Sequence, residues 1–145
     1  MKKKISPTKV LFPNKKNLGH RNWGSETLLV LIPKILSLKI LKMKKKSKGG
    51  LQYHHKKNEC GYVISGKLKV KYDNGKGKLI EKMLKKGDCF HFPPGAIHQE
   101  EAITECEIIE ASSPHFNDRV RVEKLYGLKE AKGLKSTSKS QVKIR

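Results

Sequence analysis

An all-β fold, a single barrel or sandwich built from short strands, is what this chain of 145 residues predicts. Apolar, partly alternating runs recur between residues 27 and 111. Pro33-Lys34, Gly49-Gly50, Ser65-Gly66, Asp73-Asn74-Gly75 and Pro93-Pro94-Gly95 punctuate them as turns. No stretch carries a convincing helical period, and the length suits one domain able to bury its own core.

Taken in order, residues 1–25 form a basic N-terminal arm, with Pro7, Pro13 and Gly19 among many lysines and little periodicity. Within it Val10-Leu11-Phe12 offers a short edge strand, and Trp23-Gly24 fills a hydrophobic seat at the domain edge. Strands follow at 27–32 and 35–43. The tract 42–48 carries Lys at five of its seven positions and reads as a solvated strand end and turn, with a phosphate-binding patch as the functional alternative. Strands near 51–55 and 60–65 come next, then 68–72, where Leu68, Val70 and Tyr72 alternate with lysines as on a strand with one wet face. Asp73-Asn74-Gly75 turns the chain back into 78–84. A short strand at 89–92 and a long one at 103–111 bring the total to about nine. The folded body is expected over 26–127, and 128–145 is a basic tail, poor in apolar residues and disordered from about Gly133.

The formal charge of +20 invites a nucleic-acid reading until its distribution is examined. Residues 1–48 carry +13, residues 113–145 carry +6, and the body between them only +1. Of the 33 basic residues, 29 are Lys and four are Arg, whereas specific phosphate or base recognition favours Arg forks. The bias therefore reads as compositional, leaving only non-specific attraction to polyanions at low salt. Cys60, Cys89 and Cys106 are odd in number and form no C-x-x-C pair, which predicts buried, reduced thiols and a cytoplasmic protein. The apolar run 28–32 is too short to span a membrane, and no signal-peptide pattern follows Lys2-Lys3-Lys4.

The stretch GLQYHHKKNECGYVISG, residues 50–66, concentrates candidate metal ligands. Gln52 and His54 share one face of a strand, because side chains alternate. Glu59 opens the next strand, and His98 follows the Pro93-Pro94-Gly95 turn. Two imidazoles, a carboxylate and an amide make a mixed nitrogen and oxygen site with open positions, suited to one divalent ion of zinc, manganese, iron, nickel or cobalt. His20, His55 and His115 read as hydrogen-bonded structural residues.

These two segments resemble the paired motifs of the cupin superfamily. The first motif, G-x5-H-x-H-x3-4-E-x6-G, is met by His54, Glu59 and Gly66, with Gln52 in the first His slot. The second, G-x5-P-x-G-x2-H-x3-N, is met by Gly87, Pro93, Gly95 and His98, with Ala102 in the Asn slot. Trp23-Gly24, and later Asp118, Arg121 and Tyr126-Gly127, are similar to the mannose-6-phosphate-isomerase-like branch. The resemblance implies a double-stranded β-helix of jelly-roll type with flexible basic termini, and a homodimer paired through an edge in the region 28–43. It also implies a metal-dependent enzyme acting on a sugar or sugar phosphate by aldose–ketose isomerisation. Glu100, Tyr62 and His91 are then the candidates for moving the proton, and Lys57, Arg119 and Arg121 for holding a phosphate. An iron-dependent dioxygenase, a non-catalytic sugar-binding or regulatory module, and a cupin without metal stand as alternatives.

Overall fold

The computed structural model describes residues 5–130, 134 and 136–144. Thirteen strands appear among them: β1 Lys16–Arg21, β2 Gly24–Ile32, β3 Leu36–Met43, β4 Gln52–His54, β5 Glu59–Ser65, β6 Lys67–Asp73, β7 Leu79–Lys85, β8 Cys89–Phe92, β9 His98–Ala102, β10 Cys106–Ser112, β11 His115–Phe116, β12 Arg119–Arg121 and β13 Lys143–Ile144. Two short 3-10 turns, Glu123–Tyr126 and Lys139–Gln141, are the only helical elements described. A six-stranded sheet in the order β1-β2-β3-β10-β5-β8 and a five-stranded sheet in the order β12-β4-β9-β6-β7 make up the body, with β11 and β13 as a separate pair. Every pairing is antiparallel, so the expected all-β, jelly-roll-like class is what the chain adopts.

Alternation along the strands determines which side chains enter the interior, and the register then sorts them into layers. On β10 the buried residues are Cys106, Ile108, Glu110 and Ser112. Opposite them on β3 stand Met43, Leu41, Lys39 and Ser37, in that order. On β5, Val63 faces Ile108, while Gly61 and Glu59 face Glu110 and Ser112. One half of the interior is thus apolar, built from Leu41, Met43, Val63, Leu68, Val70, Leu84, Phe92 and Ile108. The other half is lined by polar and charged groups on those same strands.

The strands expected at 27–32, 35–43, 60–65, 68–72, 78–84 and 89–92 are present with small shifts of their ends. The Asp73-Asn74-Gly75 turn forms as expected, with the Asp73 carboxylate accepting from the Gly75 and Gly77 N–H groups at 2.7 and 3.1 Å. Several expectations are corrected. The long strand placed at 103–111 is β10, which starts only at Cys106; a separate strand, β9, precedes it, and between the two the Ile103 N–H turns aside to the Lys67 carbonyl at 2.9 Å. Strand β9 carries no strand signature in the sequence because its inward residues are His98, Glu100 and Ala102, which supply no apolar period. The second half of the expected arm is β1, hydrogen-bonded to β2, whereas Val10, Leu11 and Phe12 lie outside any strand at 69%, 77% and 89% exposure. Within the region 28–43, β10 covers β3, and β1 covers β2 only as far as Leu28. Cys106 is buried as expected, but Cys60 and Cys89 occupy outward positions and are exposed; all three are free.

The disordered tail expected from about Gly133 falls partly on residues 133, 135 and 145, outside those described. Within the described part, the Thr137 N–H donates to the Arg119 carbonyl at 2.6 Å and β13 pairs with β11. No helix among the described residues is long and apolar enough to cross a membrane.

Two substitutions test this packing. Ile108→Ala removes a fully buried side chain from the apolar half and is expected to cost about 2–5 kcal/mol. Gly66 has φ +87, and a Cβ there would lie 2.1 Å from the Glu105 carbonyl oxygen, so Gly66→Ala is expected to cost at least about 1–3 kcal/mol. Denaturant titration reads both, and a Gly66→Ala protein as stable as its parent would contradict the close approach.

Candidate metal centre

Glu59 begins β5 at the polar end of the interior, directly opposite Phe92 on β8 and Ser112 on β10. His54 ends β4, and His98 begins β9 after the Pro93-Pro94-Gly95 turn. These three buried residues bring one ligand atom each within 4.8 Å of one another. The Nε2 atoms of His54 and His98 lie 3.5 and 3.1 Å from the same Glu59 oxygen, Oε1. Gln52, paired with His98 across β4 and β9, lines the same cavity. All four residues expected as ligands are therefore gathered at one place.

Both imidazoles are fixed from behind. His54 Nδ1 is 2.8 Å from Asp118 Oδ1, and His98 Nδ1 is 2.9 Å from the Ala96 carbonyl. A carbonyl only accepts, so His98 Nδ1 carries a proton there, and Nε2 is the ring atom turned toward Glu59. Phe92 stacks on the His98 ring with centroids 4.0 Å apart. Asp118 also accepts the Lys56 and Lys57 N–H groups at 2.8 Å each, which ties β4, the following loop and the approach to β12 together. Burial pushes the Asp118 carboxyl up, but the hydrogen bond from His54 and those backbone N–H groups outweigh it and bring it down to about 2.

Glu59 is held charged by its surroundings. Burial opposes its ionisation, but the Lys57 ammonium and the hydrogen bonds from His54 and His98 hold it well below the usual carboxylate range. Lys57 Nζ lies 2.5 Å from Glu59 Oε2 and 2.9 Å from Glu110 Oε1. Two buried acids thus share one lysine. Glu59 Oε1 is left facing the two imidazoles.

Of the three residues expected to move a proton, only Glu100 faces the cavity. Its Oε1 is buried without a hydrogen-bond partner among the described residues, and burial, followed by the charges of Glu59 and Glu110, pushes its carboxyl up to about 8. Tyr62 sits on the outer face of β5, 42% exposed, since Glu59, Gly61 and Val63 take the inward positions. His91 is exposed on β8, with Nε2 2.7 Å from Asn58 Oδ1. The strand period turns both away from the ligands, and neither lines this cavity. Among the expected phosphate partners, Lys57 is engaged by its two acids, Arg121 is paired with Glu123, and Arg119 lines the cavity. The lysines of 42–48 are exposed and lie outside it. Trp23, expected as a purely structural seat, packs on the core and also forms part of the cavity wall.

The supporting role of Asp118 was not readable from spacing. It stands 64 residues from His54, and only the pairing of β12 with β4 brings it there. Lys57, bridging Glu59 and Glu110, was equally hidden, because Glu110 belongs to a distant strand.

The Cupin domain family matches residues 39–111. A probable germin-like protein, subfamily 2 member 5, of Arabidopsis thaliana is 44% identical over 50 residues, covering 34% of this chain and 24% of that protein. Among solved structures, KdgF from Halomonas sp. is 21% identical with a TM-score of 0.63, over 77% of this chain and 98% of that one. The capsular polysaccharide assembling protein CapF from Staphylococcus aureus is 21% identical with a TM-score of 0.64, over 75% of this chain and 34% of that one. Oxalate decarboxylase from Bacillus subtilis is 20% identical with a TM-score of 0.66, over 88% of this chain and 35% of that one. The chain thus spans about a third of the latter two proteins, and at these identities the likeness is one of fold. With the family matched across half its length, from Lys39 on β3 to Ala111 on β10, and the interior ligand cluster inside that span, the chain belongs to the cupin domain family.

Proposed function

We propose that this cupin is a metal-dependent enzyme interconverting an aldose and a ketose, with a sugar or sugar phosphate as substrate. The observation that carries the reading is the convergence of two imidazole Nε2 atoms on one buried carboxylate oxygen, beside a second buried carboxyl, Glu100, whose oxygen has no partner among the described residues. A divalent ion fits the first group. The Nδ1 atoms are occupied, the Nε2 atoms and Glu59 Oε1 face one another, and the donor set of nitrogen and oxygen suits zinc or another first-row metal.

His54, Glu59 and His98 would hold that ion, with the Gln52 amide beside them. When bound, it supplies a Lewis acid that makes the proton next to a carbonyl easier to remove. The protein's own part is positioning and proton transfer. Lys57 keeps Glu59 ionised, and Asp118 and the Ala96 carbonyl fix the two rings. Glu100, which lines the cavity, would in its ionised form take a proton from one carbon of an open-chain sugar and return it to the neighbouring carbon. The resemblance to the mannose-6-phosphate-isomerase-like branch points to the substrate class.

Purified protein is expected to contain about one divalent ion per chain. Elemental analysis should find it lost in His98→Ala, while Asp118→Asn weakens metal affinity about 10–100-fold through the loosened His54 ring. An Asp118→Asn protein with unchanged affinity would remove that carboxylate from the account. In deuterated water, the metal-loaded chain is expected to incorporate deuterium at C2 of a hexose 6-phosphate. Glu100→Gln should keep its ion and lose the exchange. Exchange at the parent rate in Glu100→Gln would transfer the proton shuttle elsewhere, and no exchange with any sugar phosphate in the parent would end the isomerase reading.

A further inference from the structure

Most cations at the polar end of the interior are already committed to an acid. Lys57 bridges Glu59 and Glu110 at 2.5 and 2.9 Å. Arg21 meets Glu26 Oε2 at 2.9 Å, and Lys39 lies 3.6 Å from Glu26 Oε1, with its Nζ 4.9 Å from the centre of the Phe116 ring. Arg121 is paired with Glu123, whose Oε1 also accepts the Leu51 N–H at 3.1 Å. Arg119 differs. Its guanidinium forms no hydrogen bond or ion pair among the described residues, although it is half-buried and lines the cavity that holds His54, Glu59, His98 and Glu100.

Its place is set by the sheet. Arg119 is the register partner of His54 across β12 and β4, so both side chains leave the sheet on the same face. The backbone there is pinned by Thr137, whose N–H and Oγ1 donate to the Arg119 carbonyl at 2.6 and 2.8 Å. The Lys39 ammonium is pushed below its usual range by burial first, and Lys57 and Arg119 add repulsion against the attraction of Glu26 and Glu110. A planar guanidinium that is partly desolvated, beside the ligand cluster and without a partner among the described residues, is complementary to a two-oxygen anion that can accept both arms of its fork.

We infer that Arg119 is the specificity-determining residue for an anionic substrate, gripping a phosphate or carboxylate group while the rest of the molecule reaches His54, Glu59, His98 and Glu100. The inference rests on the proposal that this cavity is the substrate site. Phosphate and carboxylate share the required oxyanion chemistry, and the sequence Asp118-Arg119-Val120-Arg121 supplies the cation from the strand next to the ligand-bearing one.

Calorimetric titration of the full metal-loaded chain with mannose 6-phosphate, gluconate and mannose tests this, with metal content and melting temperature measured alongside. At least one of the two anions should bind, and mannose at least about tenfold more weakly. Arg119→Gln should lose at least about tenfold in affinity for that anion while keeping its ion and its melting temperature, and Arg119→Lys, which retains the charge but not the fork, should fall between. Which anion binds identifies the group gripped. Binding of neither anion, binding of mannose as tight as that of its phosphate, or an Arg119→Gln protein with parental affinity would each overturn the inference. Metal content decides the other proposal separately: a chain without a bound ion whose anion affinity still depends on Arg119 rejects the metal reading and keeps this one.

Discussion

Glu59 is buried in the barrel as an ion, and most of the surrounding polar structure follows from that constraint. An unpaired carboxylate in such a place would cost several kcal/mol and would take up a proton instead. Lys57 on one oxygen and two imidazoles on the other prevent this. Lys57 in turn needs more than one acid in a buried setting, and Glu110 provides the second contact from β10. His54 is steadied by Asp118, which is stabilised by two backbone N–H groups. Each group answers the desolvation of its neighbour, and the network therefore has to be complete to be stable.

Such a network can be accommodated because the same strands carry an apolar half. Along β3, β5 and β10 the inward positions change from Met43, Val63 and Ile108 to Lys39, Glu59 and Glu110 within a few residues. The register makes the change coincide on neighbouring strands, so that Leu41 meets Ile108 and Lys39 meets Glu110. A slip of one residue on any of these strands would turn its charges outward and its solvent face inward. Burial of Leu68, Val63 and Ile108 thus holds the alignment on which the ligand cluster depends. Rigidity of the site is inherited from the core rather than from the loops around it.

Charge in this chain has two separate roles. The lysines that dominate the composition lie mostly on the surface, as on β6, where Lys69 and Lys71 face Glu81 and Glu101 across the wet side of the five-stranded sheet. Exposed pairs of that kind contribute little to stability. The few charges that enter the interior are confined to one end and, apart from Arg119 and Glu100, are matched to one another among the described residues. Net charge alone therefore says little about what the protein recognises.

The all-β class, most of the strands and the ligand types at Gln52, His54 and Glu59 were legible from local signals: alternation along a strand, turn residues, and ligand types a few positions apart. His98, far along the chain, joined them through the turn before it and the resemblance of its segment to the second cupin motif. What tertiary structure decided depends on contacts between distant strands. It placed Asp118 behind His54, joined Glu110 to Lys57, and separated Glu100 from Tyr62 and His91 by turning one inward and the other two outward. It also revealed β9, whose inward His98 and Glu100 remove the apolar rhythm by which a strand is recognised. The physical reason is the same in each case. Period and turn chemistry act over a few residues, but the side chain standing across from another is set by the register of the closed pair of sheets, which no single segment encodes.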